Sequence, residues 1–147
     1  MVKVAVVVLP HGEGLELPRR ATPGSAGLDL VAAIMADRVI VPFERALIPT
    51  GLCLAIPPGW EGEVRPRSGL ALRHGITLVN APGTIDADYR GELSVPLIHL
   101  GAEPYLLRRG DRIAQILFHP VYEVELERVD QLPPAGERVG GFGSTGQ

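Results

Sequence analysis

The stretch Ala46-Leu-Ile-Pro-Thr-Gly-Leu-Cys-Leu-Ala-Ile-Pro-Pro-Gly-Trp-Glu-Gly-Glu-Val-Arg65 decides the class of fold. It reads as two apolar strands, Ala46–Ile48 and Leu52–Ile56, parted by Pro49-Thr-Gly51. A Pro57-Pro-Gly59 turn follows, since Pro presets φ and Gly permits positive φ. Glu61–Arg65 then alternates polar and apolar residues, the period of a half-buried strand. Outward from this centre the same grammar repeats. Lys3–Leu9, Leu28–Val31, Arg38–Val41, Ile76–Val79, Leu93–Leu100, Tyr105–Leu107, Ile113–Phe118 and Tyr122–Leu126 all read as short strands. Ile76–Val79 and Leu93–Leu100 form two arms of a long hairpin around a Gly- and Asp-rich loop. Ser68–His74 is the one helical candidate, about two turns closed by Gly75. About ten strands with turn signals every 8–12 residues indicate an all-β fold, an antiparallel sandwich, jelly roll or barrel.

Composition agrees. The 147 residues include 18 Gly and 14 Pro, and 46% are apolar but only 5% aromatic. Branched aliphatics with frequent punctuation build short strands around one core rather than a helical bundle. Net charge is −3 and no run of like charges exceeds three residues, which disfavours a nucleic-acid or membrane partner. Val4–Leu9 is too short for a secretory core, and nothing approaches a membrane span of about 18 apolar residues. Cys53 is the single cysteine, so it reads as a strand thiol in a reducing cytoplasm. His11, His74, His99 and His119 are scattered without metal-ligand spacing and read as structural.

Three segments carry candidate chemistry. Arg65-Pro-Arg-Ser-Gly69 opens the helix, where backbone donors, the Arg67 guanidinium and the Ser68 hydroxyl suit a phosphate; a helix-capping Ser68 explains the motif equally well. In Gly83-Thr-Ile-Asp-Ala-Asp-Tyr-Arg-Gly91, Asp86 and Asp88 point the same way if the segment is extended. A turn would splay them. The pair suits a metal or a general base, or is a solvated hairpin tip. From Gln131 the strand pattern dissolves into a Gly-rich tail ending Gly140-Gly-Phe-Gly-Ser-Thr-Gly146. No strand leads into this run and no helix follows, so a dinucleotide-binding loop is excluded. Its amides, Ser144 and Thr145 can wrap an anion, and Phe142 can stack on a planar base. A frayed tail is the other reading.

Five blocks in order resemble the homotrimeric dUTP diphosphatase (dUTPase) family. They are Ala21-Thr-Pro-Gly-Ser-Ala-Gly-Leu-Asp-Leu30, Arg65-Pro-Arg-Ser-Gly-Leu-Ala71, Gly83-Thr-Ile-Asp-Ala-Asp-Tyr-Arg-Gly-Glu92, Arg109-Gly-Asp-Arg-Ile-Ala-Gln115 and Gly140–Gly146. The resemblance implies a distorted antiparallel barrel or jelly roll over residues 1–130, with a flexible arm over 131–147. It implies Mg²⁺-dependent hydrolysis of dUTP to dUMP and pyrophosphate, which keeps uracil out of DNA and supplies dUMP for thymidylate synthesis. It also implies a homotrimer with active sites between subunits, each arm closing over a site on another chain.

Residue by residue, the resemblance makes Asp86 the base that orients and deprotonates the attacking water. Asp29 would hold Mg²⁺ through a bound water. Arg67, Ser68, Gly69 and Gln115 would contact the phosphates. Tyr89 would pack beneath the deoxyribose and exclude a 2′-hydroxyl. Asn80, Gly83, Thr84, Ile85 and Ser94 would surround uracil and read its edge, rejecting cytosine and thymine. Phe142 would stack on the base while Gly143, Ser144 and Thr145 close on the γ-phosphate. Family members carry Arg-Gly-x before Gly-Gly-Phe. Here Glu137-Arg-Val139 precedes Gly140, so Arg138, the expected γ-phosphate ligand, stands one residue closer to Phe142. Two rivals share the fold: a catalytically silent nucleotide-binding regulator, and a dCTP deaminase. Deamination calls for a glutamate on the returning hairpin arm, and Leu93–Leu100 carries no carboxylate.

Overall fold

The computed structural model describes residues 1–134, so the expectations for Arg138, Phe142, Gly143, Ser144 and Thr145 lie outside the described residues. In chain order the elements are β1 (Ala5–Val8), a 3-10 turn (Pro10–Gly12), β2 (Leu28–Val31), β3 (Arg38–Ile40), β4 (Arg45–Ala55), β5 (Trp60–Arg65), α1 (Ser68–His74), β6 (Ile76–Leu78), β7 (Gly83–Ile85), β8 (Glu92–His99), β9 (Tyr105–Leu107) and β10 (Arg112–Pro120).

Period-two patterning builds the layers. Along β8, Leu93, Val95, Leu97 and His99 are buried while Ser94, Pro96 and Ile98 are half-buried. Two four-stranded antiparallel sheets result, in the orders β1-β4-β8-β6 and β2-β10-β5-β7, with β3 and β9 as a separate ribbon. One core joins both sheets through Leu30, Ile48, Ile56, Val95, Leu97 and Ile116. Each such side chain contributes about 1.5–3 kcal/mol on burial. The all-β, jelly-roll-like expectation is met.

Three local expectations change. First, Pro49-Thr-Gly51 does not end a strand. β4 runs through it as a bulge: Pro49 pairs with Ser94 and Cys53 with Glu92, so Thr50, Gly51 and Leu52 face only Leu93. The groups freed by the bulge find partners on β8. The Thr50 hydroxyl donates to Leu93 O at 2.6 Å, and Gly51 N–H donates to Glu92 Oε1 at 2.8 Å. Gly51 has φ +70°, and a Cβ there would collide with Gly12 Cα, so glycine is required.

Second, Gly83–Ile85 is a strand rather than loop, because Gly83, Thr84 and Ile85 pair with Val64, Glu63 and Gly62 of β5. Third, Tyr122–Leu126 is not a strand. It alternates correctly, but Tyr122, Val124 and Leu126 are 83%, 78% and 92% exposed, with no strand beside them among the described residues. Alternation without a partner edge leaves the backbone to water.

Helix α1 ends as expected, with Gly75 at φ +65° donating to Ala71 O. Its start differs: Arg67 holds the cap position and Ser68 is already helical, so the hydroxyl does no capping. In the turn after β3, Glu44 accepts from Arg38 at 2.8 Å and from Val41 N–H at 3.0 Å.

Candidate active site

The expected site residues within 1–134, Gly83 apart, divide between two clefts that share no residue. The first, 380 Å³, is lined by Asn80, Thr84, Ile85, Asp86, Tyr89 and Ser94, together with Leu47, Glu92, Leu93 and Pro96. Main-chain geometry sets its walls. β7 ends at Ile85, and Tyr89 N–H then bonds Asp86 O at 3.1 Å, closing a turn. The Arg90 guanidinium bonds the carbonyls of Ala87 and Tyr89 at 2.6 and 2.8 Å and locks that turn. Extended geometry therefore does not hold across Asp86 and Asp88. Asp86 lines the cleft and Asp88 does not.

The Tyr89 hydroxyl donates to Glu92 O at 2.9 Å. Gly91 leaves room for it, since a Cβ there would sit 2.5 Å from that oxygen. Gly83 lies against Asn80 in the same way, with 2.9 Å from a Cβ to Nδ2. Strand β8 begins at Glu92, so the returning arm does carry a carboxylate, which corrects the ground for setting deamination aside. That carboxylate is engaged: its Oε1 accepts from Gly51 N–H and faces His11 Nε2 at 2.7 Å. Glu92, Leu47 and Pro96 were missed from sequence because their place in the cleft depends on the β4–β8 register.

The second cleft, 310 Å³, brings together Asp29, Arg67, Ser68, Gly69 and Gln115 with Ala21, Ser25, Ala26 and Gly27. Sheet register explains the gathering. Gln115 on β10 stands opposite Asp29 on β2 and Arg65 on β5, and the chain after β5 delivers Arg67 and Ser68 to the same end. Gln115 Nε2 donates to Pro66 O at 3.1 Å. Gly27 clears space for that side chain, because a Cβ there would collide with its Oε1.

Charge sets the rest. Asp29 Oδ1 faces Arg67 Nε at 3.1 Å, and Oδ2 faces Arg112 at 3.2 Å. Partly exposed pairs like these contribute about 0–1 kcal/mol each. Their main effect is to aim two guanidinium groups. A wider 480 Å³ cleft, lined by Leu15, Arg19, Asp29, Val31 and Arg112 among others, adjoins through Asp29 and was not foreseen from sequence.

Among the described residues no three His, Cys, Asp or Glu gather as metal ligands. Asp29 still fits an outer role toward Mg²⁺. Each of its oxygens meets one guanidinium, and a carboxylate has about four acceptor positions. Room remains for a metal-bound water, as suits a cation that keeps most of its waters and is held chiefly by substrate phosphates.

Strand order separates the two clefts. Asp29 lies on β2 and Thr84 on β7, the opposite edges of one sheet. Three strand spacings across the sheet and two residues along it put them roughly 16 Å apart.

Comparison with known proteins bears on this arrangement. The dUTPase family model matches residues 13–146. Deoxyuridine 5′-triphosphate nucleotidohydrolases of Wolbachia sp. subsp. Drosophila simulans (strain wRi) and Wolbachia pipientis wMel are each 53% identical over 99% of this chain and 97% of their own length. Among solved structures, the dUTPase of Staphylococcus bacteriophage 80alpha with dUPNHPP superposes with a TM-score of 0.83 at 26% identity, covering 99% of both chains. A point mutant of the dUTPase from phage phi11 of S. aureus, described with a structural Mg(II) ion, has a TM-score of 0.79 at 24% identity. The match covers 90% of this chain and 99% of the phage protein. On the family match and the identity to the Wolbachia relatives, the chain belongs to the dUTPase family.

Proposed function

We propose that this protein hydrolyses dUTP to dUMP and pyrophosphate, with each active site completed by two or more copies of the chain. The carrying observation is the division of the site residues between two clefts at opposite edges of one sheet. The first cleft suits a nucleoside and the second a triphosphate. Facing clefts of neighbouring copies would let one nucleotide bridge them, as a heterologous ring closure such as a trimer allows. The strand pattern at Tyr122–Leu126, unpartnered among the described residues, supports association of the same kind.

In this reading Asn80, Gly83, Thr84, Ile85 and Ser94 enclose uracil, and Tyr89 supports the deoxyribose face. Asp86 accepts the proton of the water that attacks the α-phosphorus, and the bond to the bridging oxygen breaks to release pyrophosphate. A positioned base contributes about 10²–10⁴-fold. Arg67, the donors of Ser68 and Gly69, and Gln115 hold the phosphate chain and neutralise charge that grows in the transition state. Mg²⁺, when bound with the substrate, supplies further charge neutralisation on the phosphate oxygens. Asp29 would hold it through water.

Residues 1–130 form the β-domain and 131–147 an arm in this assignment. Arg138, Phe142, Gly143, Ser144 and Thr145 of the arm would close over base and γ-phosphate. A cytoplasmic location belongs to the same proposal, supported by the free thiol of Cys53.

The direct test incubates purified protein with dUTP and Mg²⁺ and measures dUMP and pyrophosphate; an inactive wild type sinks the reading. Subunit sharing is tested by mixing. Asp86→Asn and Arg67→Ala chains, each inactive alone, are expected to regain about a quarter of wild-type sites when unfolded and refolded together in equal amounts. No regain on mixing would mean that both clefts serve one nucleotide from a single chain.

A further inference from the structure

We propose that Glu92, braced by His11, is a positioning residue for Tyr89 and thereby for selection of the sugar. The inference rests on the role given to Tyr89 above. Tyr89 is 44% exposed, so packing alone does not fix its ring. Among the described residues its one side-chain tether is the hydroxyl bond to Glu92 O at 2.9 Å. The residue that offers this carbonyl is itself clamped from two distant segments. Gly51 N–H of the β4 bulge and His11 Nε2 both meet Glu92 Oε1, at 2.8 and 2.7 Å.

The far side of the clamp is equally fixed. Arg109 donates to the carbonyls of His11 and Glu13 at 2.7 and 2.9 Å, and Leu9 N–H donates to Gly51 O at 2.8 Å. A chain of bonds therefore runs from the 3-10 turn through His11 and Glu92 to the Tyr89 ring. Excluding a 2′-hydroxyl needs a wall that does not yield, and a loosened ring would yield.

A plainer role exists for Glu92, capping the orphan N–H of the bulge. The two roles predict different measurements. Capping alone changes stability and the amount of folded enzyme, which affects every ligand alike. Positioning changes the ratio of inhibition constants, Ki(UMP)/Ki(dUMP), against dUTP hydrolysis, and that ratio is independent of how much enzyme is folded.

Glu92→Ala is expected to lower the ratio about tenfold, the scale of a sub-ångström misplacement near a binding site. Tyr89→Phe, which removes the hydroxyl bond to the Glu92 carbonyl itself, is expected to match it. Glu92→Gln keeps an acceptor oxygen for both donors and is expected to stay within about twofold of wild type. Should Glu92→Ala not fold, His11→Ala reads the same ratio with Gly51 N–H still bonded, and a fall of about threefold is expected. A ratio unchanged in Glu92→Ala, or in His11→Ala where that variant stands in for it, overturns the proposal if Tyr89→Ala lowers it. An unchanged ratio in Tyr89→Ala would instead remove the sugar-facing role of Tyr89 itself.

Discussion

At the β7 edge, Asp86 and Tyr89 are held by main-chain bonds: a closed turn, an arginine on two carbonyls, a hydroxyl on a third. At the β2 edge, Asp29, Arg67 and Arg112 hold one another by charge. The first cleft has its shape built in, which suits the proposed discrimination among similar planar bases. The second is an array of aimed charges, which suits the proposed binding of a flexible polyanion. Shape and charge respond to different insults, and the contrast can be broken experimentally.

The largest effect is expected from Asp86→Asn, with kcat reduced by about 10²–10⁴-fold while dUMP binding and the circular dichroism spectrum stay as in wild type. Retention of most of the turnover would remove Asp86 as the base. Next comes Gly27→Ala, whose new methyl displaces Gln115. Steady-state kinetics should show kcat/KM for dUTP down roughly tenfold, carried mainly by KM. An unchanged KM would mean that Gln115 does not touch the phosphates.

Ionic strength should separate the clefts more gently. Between about 0.05 and 0.5 M salt the Debye length shortens severalfold, so KM for dUTP should rise about threefold. Inhibition by deoxyuridine, which carries no phosphate, should barely move. Equal sensitivity of the two would dissolve the contrast.

The smallest effect lies outside both clefts. Arg38 and the Val41 N–H hold the Glu44 carboxyl below its ordinary value of 4.5. Its contribution to stability is therefore present above pH 4.5 and lost as pH falls through the lowered folded-state value. Glu44→Gln should melt about 2 °C or less below wild type at pH 7, with the gap closing in acid. A gap that widened in acid would contradict the sign.

Sequence was informative wherever structure is decided within a few neighbouring residues. Helix α1 and its Gly75 stop were legible because the cap lies within the same segment. The strands β2 and β9 appeared with the expected limits. Continuity of β4 was hidden, since Pro49-Thr-Gly51 looks like a break until Thr50 and Gly51 find partners on a strand some 40 residues away. Tyr122–Leu126 misled for the converse reason: alternation names a face but not a partner.

The same rule governs the site. Asp29, Arg67, Ser68 and Gln115 could be named from motifs, yet their meeting depends on register across β2, β10 and β5. Spacing alone does not tell Asp86 from Asp88, and it is the turn at Asp86–Tyr89 that separates them. Glu92 and His11, 81 positions apart, left no joint trace in the sequence.

The placement of Asp29 and Thr84 on opposite edges of one sheet has a consequence for inheritance. If every nucleotide is handled by the β7 edge of one copy and the β2 edge of the next, a chain damaged at both edges spoils the site on either side of it. In a ring of three, one such chain would silence two of the three sites. An allele carrying both lesions would act as a dominant poison, whereas two alleles with one lesion each would complement.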